Sequence, residues 1–290
     1  PDPRLRVLRN SQTLGLTRSL NIALEAARGE YVARLDADDV ADQRRLALQV
    51  AFLDAHPDHV IVGSGYRVID ARGAVRAQVV KPMLDLEVRW ISQLRTALDH
   101  SSVTFRRRAP DGTPYRYDER WRTAQDAALW LRMLEDGRAR VLPDILFDYR
   151  RHDRAVTATR GVEQRATLRR IALEAAARHD PSPEEVRALG ELLDLVLRIA
   201  PPEERRFAQA LHGLDWLTAR FVAREGLSEV EARFVRACGA GQLWTAVLRR
   251  RAGEPRRPPR RLARLLWAGR HTLPDLARRL VWRRCPEPPA

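Results

Sequence analysis

Leu35-Asp36-Ala37-Asp38-Asp39 sets three carboxylates within four positions, directly after the strand-like run of residues 31–35. Carboxylates this close repel one another unless a cation sits among them. Hard oxygen ligands suit Mg²⁺ or Mn²⁺ bridging a diphosphate. In open α/β sheets the carboxyl ends of strands are where ligands bind, so the position fits the chemistry. A calcium loop is excluded by spacing: counted from Asp36, Ala41 stands where glycine is needed and Ala47 where glutamate is needed. The structural alternative is a loop whose acids lead into a helix capped by Asp42.

The elements that must position these carboxylates read as an alternation. Residues 5–8 form a short strand candidate, and Leu16, Leu20, Ala23, Leu24 and Ala27 recur at helical spacing, with Gly29 as the expected C-cap. A strand over residues 31–35 follows, then a helix with an expected apolar face of Leu46, Val50 and Leu53, stopped by Pro57. Val60-Ile61-Val62 opens a third strand, and the order predicts an α/β unit with a parallel sheet. Further on come a turn at Asp111-Gly112-Thr113-Pro114, a helix from Asp126 through Leu129, Trp130, Met133 and Leu134 to Gly137, and an extended run over residues 141–149. Beyond residue 159 the pattern is helical throughout, with a capping box in Ser182-Pro183-Glu184-Glu185 and a second helix start at Ser228 and Glu231. His212 and Trp216, four apart, read as a core or rim pair. The predicted organisation is an α/β domain over 1–158, a helical region over 159–248 and a basic tail over 249–290.

Composition bounds the classes. With 290 residues, 44% hydrophobic and 31% charged, the chain is long enough for a substantial core and is not disordered overall. Two cysteines, Cys238 and Cys285, exclude a disulfide framework or a cysteine-built zinc site. No run approaches the roughly eighteen apolar residues of a membrane span, and no secretory leader is visible, so the cytoplasm is the expected compartment. The net charge is +14, of which +10 lies in residues 249–290, where thirteen arginines face three acids. Leu262, Leu265, Leu266, Trp267, Leu276, Leu280 and Trp282 interleave with those arginines. That pattern predicts a peripheral anchor on an anionic membrane surface, with solvated arginine faces as the alternative. Nucleic acid is not the expected partner, because no recognition module or aromatic platform accompanies the charge.

Four ordered blocks carry a resemblance. Asn10-Ser11-Gln12-Thr13-Leu14-Gly15-Leu16 with Leu20-Asn21 precedes Gly29-Glu30-Tyr31-Val32-Ala33-Arg34-Leu35-Asp36-Ala37-Asp38-Asp39. His100-Ser101-Ser102-Val103-Thr104-Phe105-Arg106, Ala124-Gln125-Asp126-Ala127-Ala128-Leu129-Trp130 and Tyr149-Arg150-Arg151-His152 follow in order. Over residues 4–157 the chain resembles family 2 glycosyltransferases of the GT-A fold, a Rossmann-like architecture for nucleotide-diphospho-sugar transferases. The resemblance implies a metal-dependent, inverting enzyme of hexosyltransferase type, moving a sugar from a nucleotide-diphosphate donor, UDP-linked by expectation, to a hydroxyl. The acceptor would be a glycan or a lipid-linked acceptor in surface-polysaccharide or glycolipid assembly. It assigns Asp126 as catalytic base, and Asp38, with Asp36 and His152, as ligands of Mg²⁺ or Mn²⁺. Asn10, Arg34 and Asp39 join Asp36 and Asp38 on the donor side, and His100, Gln125 and Trp121 lie on the acceptor side. A base at a helix N-terminus is expected to be held ionised. Trp130, on the apolar stripe of its helix, is expected in the core, and His100 is expected to hydrogen-bond Ser102.

Two departures shape a rival expectation. Gln125 stands where the family usually has glutamate beside the base, keeping a hydrogen-bonding arm without its charge. The family's domain also begins with an apolar strand, a helix and a second strand bearing a nucleobase-binding aspartate, about sixty residues that the resemblance does not cover. The chain is therefore expected to be N-terminally incomplete, with a sheet lacking its first strands. The rival reading is a non-catalytic, membrane-peripheral or anion-binding protein on a decayed transferase fold.

Overall fold

Two long strands form the spine on which the aspartate-rich segment is mounted. The computed structural model describes residues 2–81, 83–152, 159–200 and 204–248. The chain divides into two units, residues 1–92 with 96–167, and residues 93–95 with 168–290. The first unit contains α1 (Leu16–Ala26), β1 (Tyr31–Ala33), β2 (Val40–Ala41), α2 (Arg45–Ala55), β3 (His59–Ile69) and β4 (Val75–Val79). These are followed by α3 (Asp85–Ser92), a 3₁₀ turn (His100–Ser102), β5 (Thr104–Arg106), α4 (Gln125–Asp136) and β6 (Arg138–Arg150).

The six strands make one mixed sheet in the order β1-β5-β3-β6-β2, with β4 also on β3. β3 can serve both β5 and β4 because its eleven residues are long enough for one edge to pair twice, at Ile61–Val62 and again over Tyr66–Ile69. Among the described residues only β3 and β6 pair in parallel, and the other pairings are antiparallel. The expected parallel sheet is corrected in this respect. β1 and β3 do run the same way, but β5 lies between them and opposes both. β5 has three residues, too few for alternation to announce it. Residues 5–8 are not a strand either: Leu5 and Val7 are exposed, and among the described residues no strand pairs the outer edge of β1.

The core beneath the sheet is apolar and aromatic. Val60, Ile61, Phe105, Leu129, Trp130, Met133 and Val141 are buried together, with the Phe105 and Trp130 rings edge to face at 5.6 Å. Trp130 is core, as its place on the helix predicts. α1 closes at Ala27, whose N–H reaches Leu24 O, so Gly29 is not its cap. Gly137, between α4 and β6, is required by proximity: an added Cβ would lie 2.6 Å from Val60 Cγ1 and 2.9 Å from Asp58 O.

α2 departs furthest from its sequence pattern. Its buried face is Arg45, Gln49 and Leu53, while Leu46 is 57% exposed and Val50 half-buried. Arg45 Nη2 donates to Arg34 O at 2.7 Å and Val103 O at 2.9 Å, and its Nε donates to Gln49 Oε1 at 3.1 Å. Gln49 Nε2 donates to Ser102 O at 2.7 Å, and Thr104 Oγ1 donates to Gln49 Oε1 at the same distance. The carbonyls where β1 ends and β5 begins need donors away from water, and the polar face of α2 supplies them. Asp42 does not cap this helix. Its carboxylate accepts at 2.9 Å from the N–H of Arg44, the N-cap itself, which lies two residues further on.

In the second unit α5 (Gly161–Ala177) leads into α6 (Pro183–Val196), α7 (Glu204–Glu225) and α8 (Glu229–Leu248). The division between units falls within α5. The capping box of Ser182 and Glu185 is formed in full, and Ser228 with Glu231 makes the matching bonds before α8. α6 and α7 meet at Gly213, where an added Cβ would stand 2.4 Å from Ala188 O. His212 is exposed and Trp216 buried. No helix among the described residues is long and apolar enough to cross a membrane. The predicted basic tail, 249–290, lies outside the described residues.

Arg45→Ala is expected to lower stability by about 2–4 kcal/mol, because it strips donors from buried carbonyls and opens a cavity. Leu46→Ala, one position along the same helix, should cost no more than about 0.5 kcal/mol. Urea denaturation compares the two, and an equal loss for both variants would contradict the polar face.

Candidate active site

β1 delivers Arg34 into the interior. Its N–H continues the ladder to Val103 O at 3.1 Å, and the residue is 8% exposed. The guanidinium donates from Nη1 to Ser101 Oγ at 2.8 Å and pairs through Nη2 with Asp36. Ser101 Oγ donates to Asp36 Oδ2 at 3.0 Å and accepts from Asp36 N at 3.2 Å. Burial alone would raise the Asp36 carboxyl. The hydrogen bond and charge of Arg34, with Ser101, outweigh burial and hold it below the usual carboxylate value.

Asp38 and Asp39 are fixed from the far end of β6. Arg150 donates from Nε to Asp38 O at 2.8 Å and from Nη1 to Asp70 O at 3.1 Å, while its N–H reaches Asp39 Oδ1 at 2.8 Å. His152 Nε2 lies 2.8 Å from Asp38 Oδ2. Asp39 Oδ2 is buried and accepts no hydrogen bond, and burial, with Asp36 and Asp38 nearby, raises that carboxyl. Asp36 and Asp38 thus have different work: the first holds Arg34, the second meets His152.

The third group descends from α4 and the 3₁₀ turn. Ala124, the N-cap of α4, sits in the left-handed region at φ 53°, a strained conformation for a residue with a Cβ. Gln125 then opens the helix as a buried side chain, and Asp126 follows half-buried in its first turn. Burial pushes the Asp126 carboxyl up to about 6, against the opposing effects of the Ala127 N–H and the charge of Arg34. The helix N-terminus was expected to favour the ionised form; the loss of water outweighs it. His100 Nε2 lies 2.8 Å from Tyr117 Oη, and the imidazole ring meets Trp130 edge to face at 5.8 Å. The expected Ser102 partner is corrected: Ser102 Oγ donates to Asp99 O instead, at 2.7 Å. Burial, helped by the Arg34 charge, lowers His100 to about 3, so the imidazole is neutral at physiological pH. Burial raises the Tyr117 phenol, which keeps its proton.

α1 secures the segment that carries Tyr117. Asn21 Oδ1 accepts from Tyr117 N at 2.8 Å and its Nδ2 donates to Tyr117 O at 2.9 Å, while Thr17 Oγ1 donates to Trp121 O at 2.7 Å. Trp121 itself is 4% exposed, with the Arg120 guanidinium 5.5 Å over its ring, which leaves no open face for a sugar. Asn10 bonds Ser19 of α1 at 2.8 Å. The charge of Arg34 is felt at His100, Tyr117 and Asp126, so these three and Asp36 share one electrostatic neighbourhood. Ser101, Tyr117 and Arg150 were missed as functional positions. Ser101 and Arg150 stood inside the motif blocks, whereas Tyr117 carried no pattern. Among the described residues no three His, Cys, Asp or Glu side chains form a ready cation cage.

An acidic loop at one sheet end and a tuned carboxylate at a helix start, both within the influence of Arg34, define a candidate group-transfer site. Residues 1–110 match the family model described as Glycosyl transferase family 2, so the N-terminal part of the chain is similar to that family. The putative glycosyltransferase EpsE of Bacillus subtilis (strain 168) is 35% identical over 135 residues, covering 46% of this chain and 48% of EpsE. The amylovoran biosynthesis glycosyltransferase AmsE of Erwinia amylovora is 28% identical over 152 residues, covering 52% of this chain and 56% of AmsE. The chain thus spans about half the length of these curated relatives. The crystal structure of S. aureus TarS aligns with a TM-score of 0.41 at 16% identity, covering 84% of this chain and 44% of that one, too distant to bear on function.

A carboxyl near 6 in the folded state and 3.8 when unfolded is a stability statement. Its contribution is fully present below the unfolded value and is lost as pH rises through about 6. Asp126→Asn should therefore stabilise the fold at pH 8 by about 1–3 kcal/mol, with the difference vanishing near pH 3. Urea midpoints at the two pH values measure this, and an Asn variant no more stable at pH 8 would show that the buried charge costs nothing.

Proposed function

We propose that the chain is the catalytic part of an inverting glycosyltransferase. It would move a sugar from a nucleotide-diphosphate donor, UDP-linked, to a hydroxyl of a glycan or lipid-linked acceptor in surface-polysaccharide or glycolipid assembly. The observation that carries this reading is the similarity of residues 1–110 to family 2 glycosyltransferases, with Asp126 placed in the first turn of α4 within the field of the buried Arg34–Asp36 pair. A base held near 6 is ionised at neutral pH yet strong enough to accept a proton. Asp126 takes the proton of the acceptor hydroxyl as its oxygen attacks the anomeric carbon. The bond from that carbon to the diphosphate breaks on the opposite face, the electron pair leaves with the nucleoside diphosphate, and configuration inverts. Neutral His100, anchored on Tyr117, offers a fixed dipole that does not compete for the proton.

The residues present fit Mg²⁺ or Mn²⁺ at one point. Asp38 and His152 already face each other, one hard oxygen and one nitrogen donor, and they would hold the ion, with the diphosphate supplying further oxygens. When bound, such an ion neutralises charge on the leaving diphosphate. Asp36 is committed to Arg34 and Ser101, so it would act by fixing that cation beneath the donor and not as a ligand. The arginine-rich tail would hold the enzyme against an anionic membrane surface, where a lipid-linked acceptor resides.

In the complete protein Asp126→Asn should lower kcat/KM by about 10²–10⁴-fold. Asp38→Asn or a chelator should abolish transfer. Wild-type kcat/KM should fall as pH drops through about 6, as the base becomes protonated. Full activity in either variant would overturn the assignment of roles. Absence of both transfer and donor hydrolysis in the complete wild-type protein would favour the decayed, anion-binding reading.

A further inference from the structure

A well-formed cavity lies away from the aspartate-rich end of the sheet. It has a volume of about 560 Å³ and is lined by Arg28, Glu30, Asp58, Asp136 and the consecutive arginines Arg106, Arg107 and Arg108, among others. Glu30 directly precedes β1, Asp58 precedes β3, and Arg107 and Arg108 follow β5. The Asp36–Asp39 segment follows β1, so the cavity lies at the opposite end of the same sheet.

We propose that this cavity is a second anion site, built for a phosphate-type dianion such as a phosphate monoester. Each acid in its wall already has a cation of its own. Glu30 pairs with Arg106 at 3.2 Å; Asp58 meets His59 at 2.8 Å and Arg138 at 3.2 Å; Asp136 pairs with Arg132 at 2.7 Å and accepts from Tyr115 Oη at 2.9 Å. Arg107 and Arg108 are fixed differently. Arg107 Nε donates to Gly29 O and Arg108 Nη1 to Gly112 O, both at 2.7 Å. A carbonyl orients a guanidinium without cancelling its charge, and each fork keeps further N–H groups for an anion.

The backbone beneath them is equally fixed. Arg107 N donates to Glu30 O at 2.8 Å, Tyr115 N to Arg107 O at 3.1 Å, and Ala109 N to Thr113 O at 2.8 Å across a turn in which Gly112 has φ 86°. Pre-ordered arginine forks lose little freedom on binding, and paired N–H donors match phosphate geometry. The volume accepts a phosphorylated small molecule or one lipid headgroup, not a nucleic-acid duplex. This inference does not rest on the transferase reading, because its readout is binding and not turnover.

The test is calorimetric titration of inorganic phosphate, in chelator and low salt, into the wild-type chain, Arg107→Gln/Arg108→Gln, Arg28→Gln/Arg108→Gln and Asp38→Asn. Both arginine double variants should weaken phosphate binding at least about tenfold, as loss of a charge-assisted hydrogen bond predicts. Asp38→Asn should leave it unchanged. Arg28 and Arg108 are exposed, so the second double variant keeps the test valid if replacing Arg107 impairs folding. Co-sedimentation with phosphatidylcholine vesicles containing phosphatidate separates the sources. The basic tail contributes equally to wild type and variants, so a variant-dependent loss assigns a lipid headgroup and none assigns a soluble phosphate ester. Equal phosphate affinity across wild type and both double variants, or no phosphate binding by wild type, overturns the site.

Discussion

The buried guanidinium of Arg34 is the charge around which the site is arranged. Taking a cation out of water is costly unless its donors are satisfied and an anion stands beside it. Ser101 and Asp36 meet both conditions on the side-chain end. On the backbone end, the Arg34 carbonyl is held by Arg45, a second buried arginine that burial, with the Arg34 charge, lowers to about 10. Two like charges in one interior need this density of carbonyls and amides around them, which is why α2 turns a polar face inward.

The consequence is a separation of roles between two carboxylates. Asp36, in direct contact with Arg34, is drawn below the ordinary range, whereas Asp126, which only feels that charge through space, is raised by loss of water to about 6. Groups of one kind, pushed apart by their surroundings, are how a single site holds both a permanent anion and a proton acceptor. Strain at Ala124 belongs to the same arrangement, since the left-handed N-cap fixes how α4 begins and therefore where Asp126 stands. His100 is kept neutral by the same burial that raises its partner Tyr117.

The sheet explains how such a site is held steady. β3 and β6 are long, and at their carboxyl ends Arg150 holds the Asp38 carbonyl and the Asp39 carboxylate while Arg151 N bonds Ile69 O at 2.8 Å. Where short β1 ends and short β5 begins, α2 donates to the carbonyls of Arg34, Val103 and Ser102. The opposite end of the sheet is bounded by the arginines that follow β5. One sheet therefore carries an acid-rich loop at one end and a base-rich cavity at the other.

Much of this was legible in the amino-acid sequence. The helix over 16–26, the strand ending in the aspartate-rich loop, the helix opened by Gln125-Asp126 and the capping box at Ser182 all follow from local rules of spacing and capping, which need no knowledge of the rest of the chain. Ordered motif blocks carried the family resemblance for the same reason. What only the tertiary structure decided depends on distant partners. The antiparallel place of β5 is a matter of which edge is available, and a three-residue strand has no period to read. The inward face of α2 is polar because buried carbonyls from β1 and β5 need donors, so Leu46 faces water against its hydropathy. The pairing of His100 with Tyr117, 17 positions on, and the raised Asp126 carboxyl arise from burial. Burial is a property of the whole fold, and no local spacing encodes it.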